Sequence, residues 1–277
     1  MAIHTKGNNM QTELTNTIQS YWDARPCNLR HSELPVGTKE YFDAVEAKRY
    51  KVEPHNWVFA DFDKWAGKKV LEIGCGIGTD AVNFARAGAH YTGIELSEVS
   101  LMLAQKRFNT FGLEGEFLQG TAESVSELVA GNKYDLIYSY GVIHHAEHPQ
   151  TIVNQLHKLL KHNGRIKIML YATHSWKNML IQEQLAQPEA QAHCPVAHTY
   201  TREQLTRMFD QFDITVEQDF VFPYQIEPYK RGEYVLEEHF AHMDAHTYSS
   251  MCKHLGWNML INGVQKTHRG WDDSARL

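Results

Sequence analysis

The sequence predicts a three-layer α/β sandwich built on a seven-stranded, mostly parallel sheet. Apolar segments of strand length alternate with helix-forming segments through residues 67–171, the pattern of parallel strands joined by helices. The first of these strands runs directly into a glycine-rich turn. The chain has 277 residues, of which 43% are hydrophobic and 11% aromatic, enough to form a large core. We therefore expect one sheet-based unit with additions that cover it.

Helices precede the first strand. After a polar stretch at residues 1–9, which we expect to be frayed, apolar residues at helical spacing predict a helix from Met10 to Trp22. Thr38 is suited to cap a second helix that reaches about Val52, and Pro54 begins a short third helix. Helices that precede the first strand usually lie outside the sheet. We therefore predict a helical lid at residues 1–66, over the sheet edge where ligands bind, and a sheet domain at 67–277.

A glycine turn links the first strand to its helix. Residues 70–73 are apolar except for Glu72, as in a buried parallel strand, and Gly74, Gly76 and Gly78 follow at alternate positions. Glycine accepts a positive φ and lets a ligand lie against the backbone. A helix-forming segment follows at residues 79–87, and Gly88 is suited to end it. Strand, glycine turn and helix together predict a nucleotide-binding unit.

Six further strands follow in order. Apolar and β-branched residues predict them at residues 90–94, 116–118, 134–139, 165–171, 212–222 and 257–264. The last two are expected to pair antiparallel. The alternation is interrupted after strands five and six, at residues 174–200 and 223–256. We predict that these two insertions cover the ligand site.

The glycine turn also carries a family resemblance. Its pattern, E-x-G-x-G-x-G, resembles motif I of the class I methyltransferases that use S-adenosylmethionine (SAM), and the sheet would then be Rossmann-like. The dinucleotide pattern G-x-G-x-x-G would need glycine at position 79, where this chain has threonine. The resemblance implies that the cofactor lies on the turn, at Glu72, Gly74, Cys75, Gly76, Gly78, Thr79 and Asp80.

The ends of the next strands extend the expected SAM site. Glu95 ends the second strand about 20 residues after the turn, where a carboxylate can accept both ribose hydroxyls, and Leu96 follows it. After the third strand, the resembling enzymes often have G-[DN]-A, whose second residue contacts the adenine amine. This chain has Thr121 before Ala122, so the backbone is expected to replace that contact. Tyr140 at the end of strand four completes this set.

The segment from Tyr138 to His145 indicates which branch of the family the chain resembles. It reads Y-S-Y-G-V-I-H-H, similar to small-molecule methyltransferases with an aromatic residue, a short apolar run and two histidines. The [DNS]-P-P-[YF] motif of nucleic-acid amino-methyltransferases is absent, and the paired glutamates of arginine methyltransferases are not evident. Stretches 21–28, 37–42, 186–188 and 197–200 also resemble a group of bacterial methyltransferase-like proteins.

Histidines supply the candidate general base. A sulfonium leaves without protonation, so a base is needed only if the acceptor arrives protonated, and histidine has a suitable pKa. His145 is the first candidate, followed by His144, and then His198 and Tyr200 on the first insertion. Alternatively, the paired histidines pack at the strand end without taking a proton, and His198 orders its loop.

Lid residues are further candidates for cofactor contact. Tyr21 and Arg25 are placed near the cofactor, and Arg25 and Lys39 are candidates to pair with its carboxylate; for both, a surface charge is the alternative. Trp22, Tyr41 and Phe42 are placed over the sulfonium by a cation–π contact, or alternatively in the core of the lid helices.

Composition limits the other partners. A formal net charge of −6 without a long basic run argues against nucleic acid. The four cysteines are too far apart for a C-x-x-C site and indicate reduced thiols of a cytoplasmic protein. We find no signal peptide and no apolar run near the roughly 20 residues of a membrane span. Two histidine groups, 144/145/148 and 239/242/246, lack the supporting ligands of a zinc site, so we predict no metal.

Together these features predict methyl transfer from SAM to a small-molecule acceptor by in-line displacement in an enclosed site. Two alternatives stay open. One is a nicotinamide-dependent oxidoreductase on a similar sheet, against which Thr79 argues. The other is a SAM-binding module without catalysis. The acceptor, its reacting atom and the oligomeric state do not follow from the residues.

Overall fold

A computed structural model describes residues 12–187 and 193–266. The frayed start predicted for residues 1–9, Met10 and the Pro188 region lie outside these ranges. In the described residues the central sheet has the strand order β3-β2-β1-β4-β5-β8-β7, and β6 pairs with β5 beside this path. The strands are β1 (Lys69–Ile73), β2 (His90–Glu95), β3 (Glu116–Gln119), β4 (Tyr134–Tyr140), β5 (Leu160–Ala172), β6 (Thr199–Tyr200), β7 (Phe212–Asp219) and β8 (Asn258–Gln265).

The predicted fold class is confirmed, with an added short strand. The first five strands are parallel to one another. β7 and β8 pair antiparallel, as expected for the last two strands, and β8 also pairs antiparallel with β5. β6, which has only two residues, is the strand that was not predicted. β5 begins at Leu160 rather than Arg165, because its first residue pairs with Tyr134 before a register shift, and Asn163 takes a left-handed φ of 62°.

Helices surround the sheet, and several begin at a capping side chain, including the predicted cap Thr38. The side chains of Thr38, Ser97 and Thr201 each accept a hydrogen bond from the backbone N–H at the third helical residue. Pro149 is the first residue of its helix, a position that proline favours. The helices are α1 (Glu13–Ala24), α2 (Lys39–Val52), α3 (Pro54–Ala60), α4 (Ala81–Arg86), α5 (Glu98–Phe111), α6 (Val125–Leu128), α7 (Pro149–Leu159), α8 (Trp176–Gln182), α9 (Arg202–Met208), α10 (Ile226–Lys230), α11 (Glu238–Ala241) and α12 (Ala245–Leu255).

Strand alternation separates the two large clusters of the core, one on each face of the sheet. Leu71 and Ile137 belong to one cluster, with residues of α7 and α9, whereas Val70 and Leu136 belong to the other, with residues of α3, α4 and α5. Successive residues of a strand point to opposite faces of the sheet. The sheet is therefore the middle layer of three.

The two insertions and the lid contain several of these helices. α8 and β6 lie in the 174–200 insertion, and α10, α11 and α12 lie in the 223–256 insertion. The spacing of His239, His242 and His246 would suit one face of a single helix, but the three do not share a helix, because α11 ends at Ala241 and α12 begins at Ala245. The division into a lid and a sheet domain stays a prediction. Within residues 12–187 and 193–266, no helix combines the length and the apolar character that a membrane span requires.

Candidate active site

A cavity of about 1250 Å³ lies at the carboxyl edge of the parallel strands. Residues that end β1, β2, β4 and β5 line it, together with the turn after β3. The lid contributes residues of α1 and α2, and the insertions contribute aromatic, aliphatic and polar residues. Ligands of open α/β sheets bind at this edge.

The glycine turn after β1 forms one part of the cavity wall. Gly74 has a φ of +76°, and a Cβ added there would lie 2.3 Å from a methyl carbon of Val142. Gly76 has a φ of +53°, and a Cβ added there would meet no atom within 4 Å. The bare backbone at Gly76 therefore borders open space in which a ligand can approach closely.

Glu95 lies beside this turn at the tip of β2. Its Oε2 accepts a hydrogen bond from the Gly76 backbone N–H at 2.8 Å, and its Oε1 accepts one from Ser97 N–H at 2.9 Å. Burial raises the pKa of the Glu95 carboxyl, and the backbone hydrogen bonds oppose that shift. A carboxylate has about four acceptor positions, so Glu95 can hold the turn and still accept hydroxyl groups from a ligand.

Asp80 connects the turn to the lid. Its carboxylate accepts hydrogen bonds from Tyr50 of α2 and Tyr138 of β4, both at 2.8 Å, and from Asn56 of α3 at 3.2 Å. Burial and the nearby Asp80 charge raise the pKa of Tyr138 well above its usual value. These bonds fix the start of α4 and orient the turn.

A buried arginine links the end of the glycine turn to α2. Arg107 of α5 is fully buried, and it donates hydrogen bonds to Thr79 Oγ1 at 2.9 Å and to the Phe42 carbonyl at 3.1 Å. Glu46 of α2 pairs with it at 3.0 Å. Burial lowers the pKa of the guanidinium, and Glu46 opposes that shift.

Glu72 is a buried residue that lines the cavity. Tyr91 donates a hydrogen bond of 2.6 Å to Glu72 Oε2. Burial, together with the charge of Asp80, raises the pKa of Glu72 well above its usual value.

The paired histidines after β4 have different surroundings. His145 lines the cavity, and its Nδ1 lies 2.6 Å from the Val196 carbonyl oxygen, so this nitrogen carries the proton. His144 is fully buried, its ring lies 3.7 Å from that of Tyr171, and neither ring nitrogen has a hydrogen-bond partner among the described residues. Burial holds the pKa of His144 well below its usual value.

A polar cluster surrounds Tyr140 at the end of β4. The phenol oxygen lies 2.8 Å from Glu53 Oε2, 2.8 Å from His55 Nε2 and 3.0 Å from Asn258 Nδ2. Arg49 pairs with Glu53 at 2.5 Å, and its guanidinium lies 4.7 Å from the centre of the Tyr140 ring. Burial raises the pKa of Tyr140 well above its usual value and lowers that of His55. Tyr140, Glu53, Arg49 and Asn258 line the cavity.

The structure brings most predicted cofactor contacts together. Twelve of the fourteen line the cavity: Arg25, Glu72, Gly74, Cys75, Gly76, Thr79, Asp80, Glu95, Leu96, Thr121, Ala122 and Tyr140. The remaining two, Gly78 and Tyr21, do not line it. A Cβ at Gly78 would lie 3.2 Å from Ala104 of α5, and Tyr21 packs against Trp22 with ring centres 4.9 Å apart. The contacts of the twelve with a cofactor stay predictions.

Of the candidate bases and the lid residues placed near the sulfonium or the carboxylate, some line the cavity and others do not. His145 and Trp22 line the cavity and their rings are 5.2 Å apart, but His144, His198 and Tyr200 lie outside its lining. Tyr41 and Phe42 are fully buried in a cluster with Val45 and Ile77, so the core-packing alternative describes these two. Lys39 pairs with Asp43 at 2.6 Å on the surface, which is the surface alternative. Among the described residues, no three His, Cys, Asp or Glu side chains form a metal-binding group.

Residues 43–219 match a family described as methyltransferase domain. The chain belongs to this family, which confirms the predicted class of protein, the class I methyltransferases, and its cofactor, SAM.

Individual relatives match shorter segments of the sequence. A ubiquinone biosynthesis O-methyltransferase of Pseudomonas aeruginosa strain UCBPP-PA14 is 34% identical over 101 residues, 36% of this chain and 43% of that protein. The Salmonella paratyphi A protein of the same name is 35% identical over 100 residues, 36% of this chain and 41% of that protein. The match therefore spans less than half the length of these curated relatives.

Solved structures share the fold. Geranyl diphosphate C-methyltransferase from Streptomyces coelicolor A3(2), in complex with Mg²⁺, geranyl diphosphate and S-adenosyl-L-homocysteine (SAH), has a TM-score of 0.59. It is 16% identical, with 92% of this chain and 99% of that chain covered. Magnesium protoporphyrin IX methyltransferase from Synechocystis PCC 6803 with bound SAM has a TM-score of 0.57. It is 13% identical, with 94% of this chain and 100% of that chain covered.

Sequence reasoning missed several residues at the site. Tyr50, Arg107 and the cluster of Glu53 and His55 were not selected. Arg49 and Glu53 stand four positions apart on a helix, which is a recognisable ion-pair signal. Nothing local in α5 marks Arg107 as a buried residue, because its partners Phe42, Glu46 and Thr79 come from distant parts of the chain.

Proposed function

We propose that this chain transfers a methyl group from SAM to a small-molecule acceptor in the cavity described above. The open space beside Gly76, next to the Glu95 carboxylate, carries this proposal. A backbone without a Cβ fits the close approach of an adenosyl group, and Glu95 supplies acceptors for ribose hydroxyls. The fit is therefore good for SAM, and no phosphate-binding glycine is required at position 79.

The proposed roles follow from position in the cavity. Gly74, Gly76, Glu95 and Leu96 would hold the adenosyl group, Thr121 and Ala122 would lie at the adenine, and Arg25 would lie at the carboxylate. SAM supplies an electrophilic methyl group on a sulfonium, which leaves without an acid. The chain must therefore exclude water and orient the acceptor for in-line attack, an effect worth roughly 7–11 kcal/mol at best.

His145 is the proposed base for an acceptor that arrives protonated. The Val196 carbonyl fixes the proton on Nδ1, so Nε2 is the basic nitrogen. Its position on the cavity wall supports this role. His144, His198 and Tyr200 are proposed instead to position the wall, since His198 N–H donates to the His144 carbonyl at 2.9 Å.

Two observations support a small-molecule acceptor. The cavity is lined by residues of the lid and of both insertions, and the relatives are named as O-methyltransferases of ubiquinone biosynthesis. Trp176, Tyr224 and Tyr229 from the insertions line the cavity, together with Phe222, which directly precedes the second insertion. Such walls suit a compact, partly apolar ligand and do not suit a nucleic acid, so we propose that the partner is not a nucleic acid.

Calorimetry with SAM tests the proposal. Wild type is expected to bind SAM, and Glu95→Ala is expected to bind it at least tenfold more weakly, because hydrogen bonds to a charged acceptor contribute about 1.5–3 kcal/mol. Glu98→Ala, an exposed change at the start of α5 outside the cavity lining, is the control and should bind as wild type. Equal affinity of wild type and Glu95→Ala would remove the assignment.

A further inference from the structure

Three basic side chains of the lid lie close together in the cavity wall. His31 ends a short 3₁₀ helix after α1, Lys48 and Arg49 belong to α2, and all three line the cavity. The Tyr41 hydroxyl donates a hydrogen bond of 2.8 Å to the Leu29 carbonyl, which ties the 3₁₀ helix to α2. The charges of Lys48 and Arg49 both act on the His31 ring, so the three groups are neighbours. The roles proposed above use none of them.

We propose that His31, Lys48 and Arg49 form a subsite that binds a carboxylate group of a ligand in the cavity. The inference rests on the proposed function, because the acceptor and the methionine part of SAM are the two ligands that can carry this group there. Arg25 is the residue proposed above for the cofactor carboxylate, which favours the acceptor as the source. The experiment below distinguishes the two sources.

Lys48 supplies a charge that the protein does not pair. Arg49 pairs with Glu53 at 2.5 Å. The Lys48 ammonium instead lies 4.5 Å from the centre of the Tyr229 ring, and it forms no ion pair with the described residues. Partial burial lowers the pKa of Lys48, although the charge of Glu33 opposes that shift. Because burial disfavours an unpaired ammonium, an anion bound beside Lys48 would be stabilised.

His31 supplies a polar atom that lacks a partner. Its Nδ1 is buried and has no hydrogen-bond partner among the residues that the structure describes. Burial and the charges of Arg49 and Lys48 lower the pKa of His31 to about 3, so its imidazole is neutral at neutral pH. A neutral imidazole with its proton on Nδ1 can donate a hydrogen bond to a carboxylate oxygen. A ligand that accepts this bond would remove the cost of an unsatisfied buried atom.

Arg49 favours a planar anion with one negative charge. Its Nη1 donates to Glu53 Oε1, which leaves other N–H donors of the guanidinium for a ligand. A guanidinium matches the two oxygens of a carboxylate in a bidentate geometry. Since Glu53 already neutralises Arg49, the further charge in the group is that of Lys48. This balance suits a carboxylate better than a phosphate group, which carries nearly two negative charges.

Calorimetry of the full chain with matched ligands tests the subsite. SAH contains an adenosyl group and a carboxylate, whereas 5′-methylthioadenosine contains the adenosyl group without the carboxylate. Benzoate and its uncharged counterpart benzamide are titrated into the chain saturated with SAH, so that the cofactor site is already filled. Binding of 5′-methylthioadenosine to wild type decides the proposed function separately, because that ligand needs only the adenosyl site at Gly76 and Glu95.

The variants remove the charge or the ring nitrogens. Lys48→Met removes the ammonium and keeps a long side chain, and His31→Phe keeps a ring without nitrogen. Lys51→Met is the matched control, because the Lys51 ammonium lies 3.6 Å from the centre of the Tyr234 ring, one turn along α2, and Lys51 lies outside the cavity lining. Thermal unfolding checks that each variant folds, and Lys48→Met carries the test if His31→Phe does not.

We expect Lys48→Met to bind one carboxylate ligand about 10- to 150-fold more weakly than wild type, the range for hydrogen bonds to a charged group. A loss for SAH with unchanged 5′-methylthioadenosine assigns the subsite to the cofactor carboxylate. Unchanged SAH with a loss for benzoate and none for benzamide assigns it to the acceptor. His31→Phe should weaken the same ligand about 2- to 12-fold, and Lys51→Met should bind every ligand as wild type does.

Three results would overturn the inference. The first is a Lys48→Met variant that binds both SAH and benzoate as wild type does. The second is an equal loss for SAH and 5′-methylthioadenosine, since that effect would not depend on a carboxylate. The third is a loss in Lys51→Met as large as the loss in Lys48→Met, which would indicate a general effect of charge.

Discussion

Gly76→Ala separates the ligand role of the turn from its structural role. Gly76 has a φ of +53°, and an added Cβ would meet no protein atom within 4 Å. The methyl group would therefore occupy space that belongs to the cavity and not to the core. The cost to folding is the left-handed backbone alone, about 1 kcal/mol, which corresponds to a drop in Tm of roughly 2–4 °C.

The expected effect on binding is larger than the effect on folding. A methyl group placed in a close contact costs about 1–3 kcal/mol, so the affinity for SAH should fall roughly 5- to 150-fold. Gly88→Ala is a matched control, because Gly88 has a φ of +89°, has open space at the Cβ position and lies outside the cavity lining. It should lose the same stability and no affinity.

The assay pairs thermal unfolding with calorimetry of SAH binding for wild type and both variants. Two similar shifts in Tm with a loss of affinity in Gly76→Ala alone would support the reasoning. The reasoning is refuted if Gly76→Ala binds SAH as tightly as wild type, or if Gly88→Ala weakens binding equally.

Two further predictions concern buried charge. The pKa of His144 is held below 6.5 by burial and that of His31 is lowered to about 3, so the unfolded chain binds protons that the folded chain does not. Stability should therefore fall as pH drops below 6.5, by about 1.4 kcal/mol per pH unit for each histidine until its folded pKa is reached. Urea unfolding at pH 7.5 and 5 should show a smaller drop for His144→Phe, and an unchanged drop would contradict this. Glu46→Gln leaves the Arg107 cation buried without its partner and should lower the free energy of unfolding by about 3 kcal/mol. The control Asp43→Asn, which breaks the exposed pair with Lys39, should lower it by less than about 1 kcal/mol. Similar losses of stability for the two variants in denaturant unfolding would refute that claim.

The sheet was predictable because its pattern is local. Apolar runs separated by helical segments located the seven main strands. The last two runs also predicted the antiparallel pair that β7 and β8 form. β6 was missed because two residues, Thr199 and Tyr200, carry no periodic pattern. The early start of β5 was missed because Lys-His-Asn-Gly at 161–164 has the composition of a turn, and only its pairing with Tyr134 makes Leu160 part of the strand.

The candidate site was predictable only where it follows strand ends. The glycine turn and Glu95 lie at fixed places relative to β1 and β2, so local spacing located them. In α2, the sequence cannot tell which aromatic residues face the cavity, and Tyr41 and Phe42 pack inward against Ile77. The Tyr140 cluster depends on contacts between residues up to 205 positions apart, which no local pattern encodes.

A crystal structure of the chain with SAH tests the central claim most directly. We predict density for the adenosyl group against the backbone of Gly74–Gly76, with the ribose hydroxyls within hydrogen-bond distance of Glu95. Density for the ligand elsewhere in the cavity, or Glu95 without a sugar contact, would contradict the account.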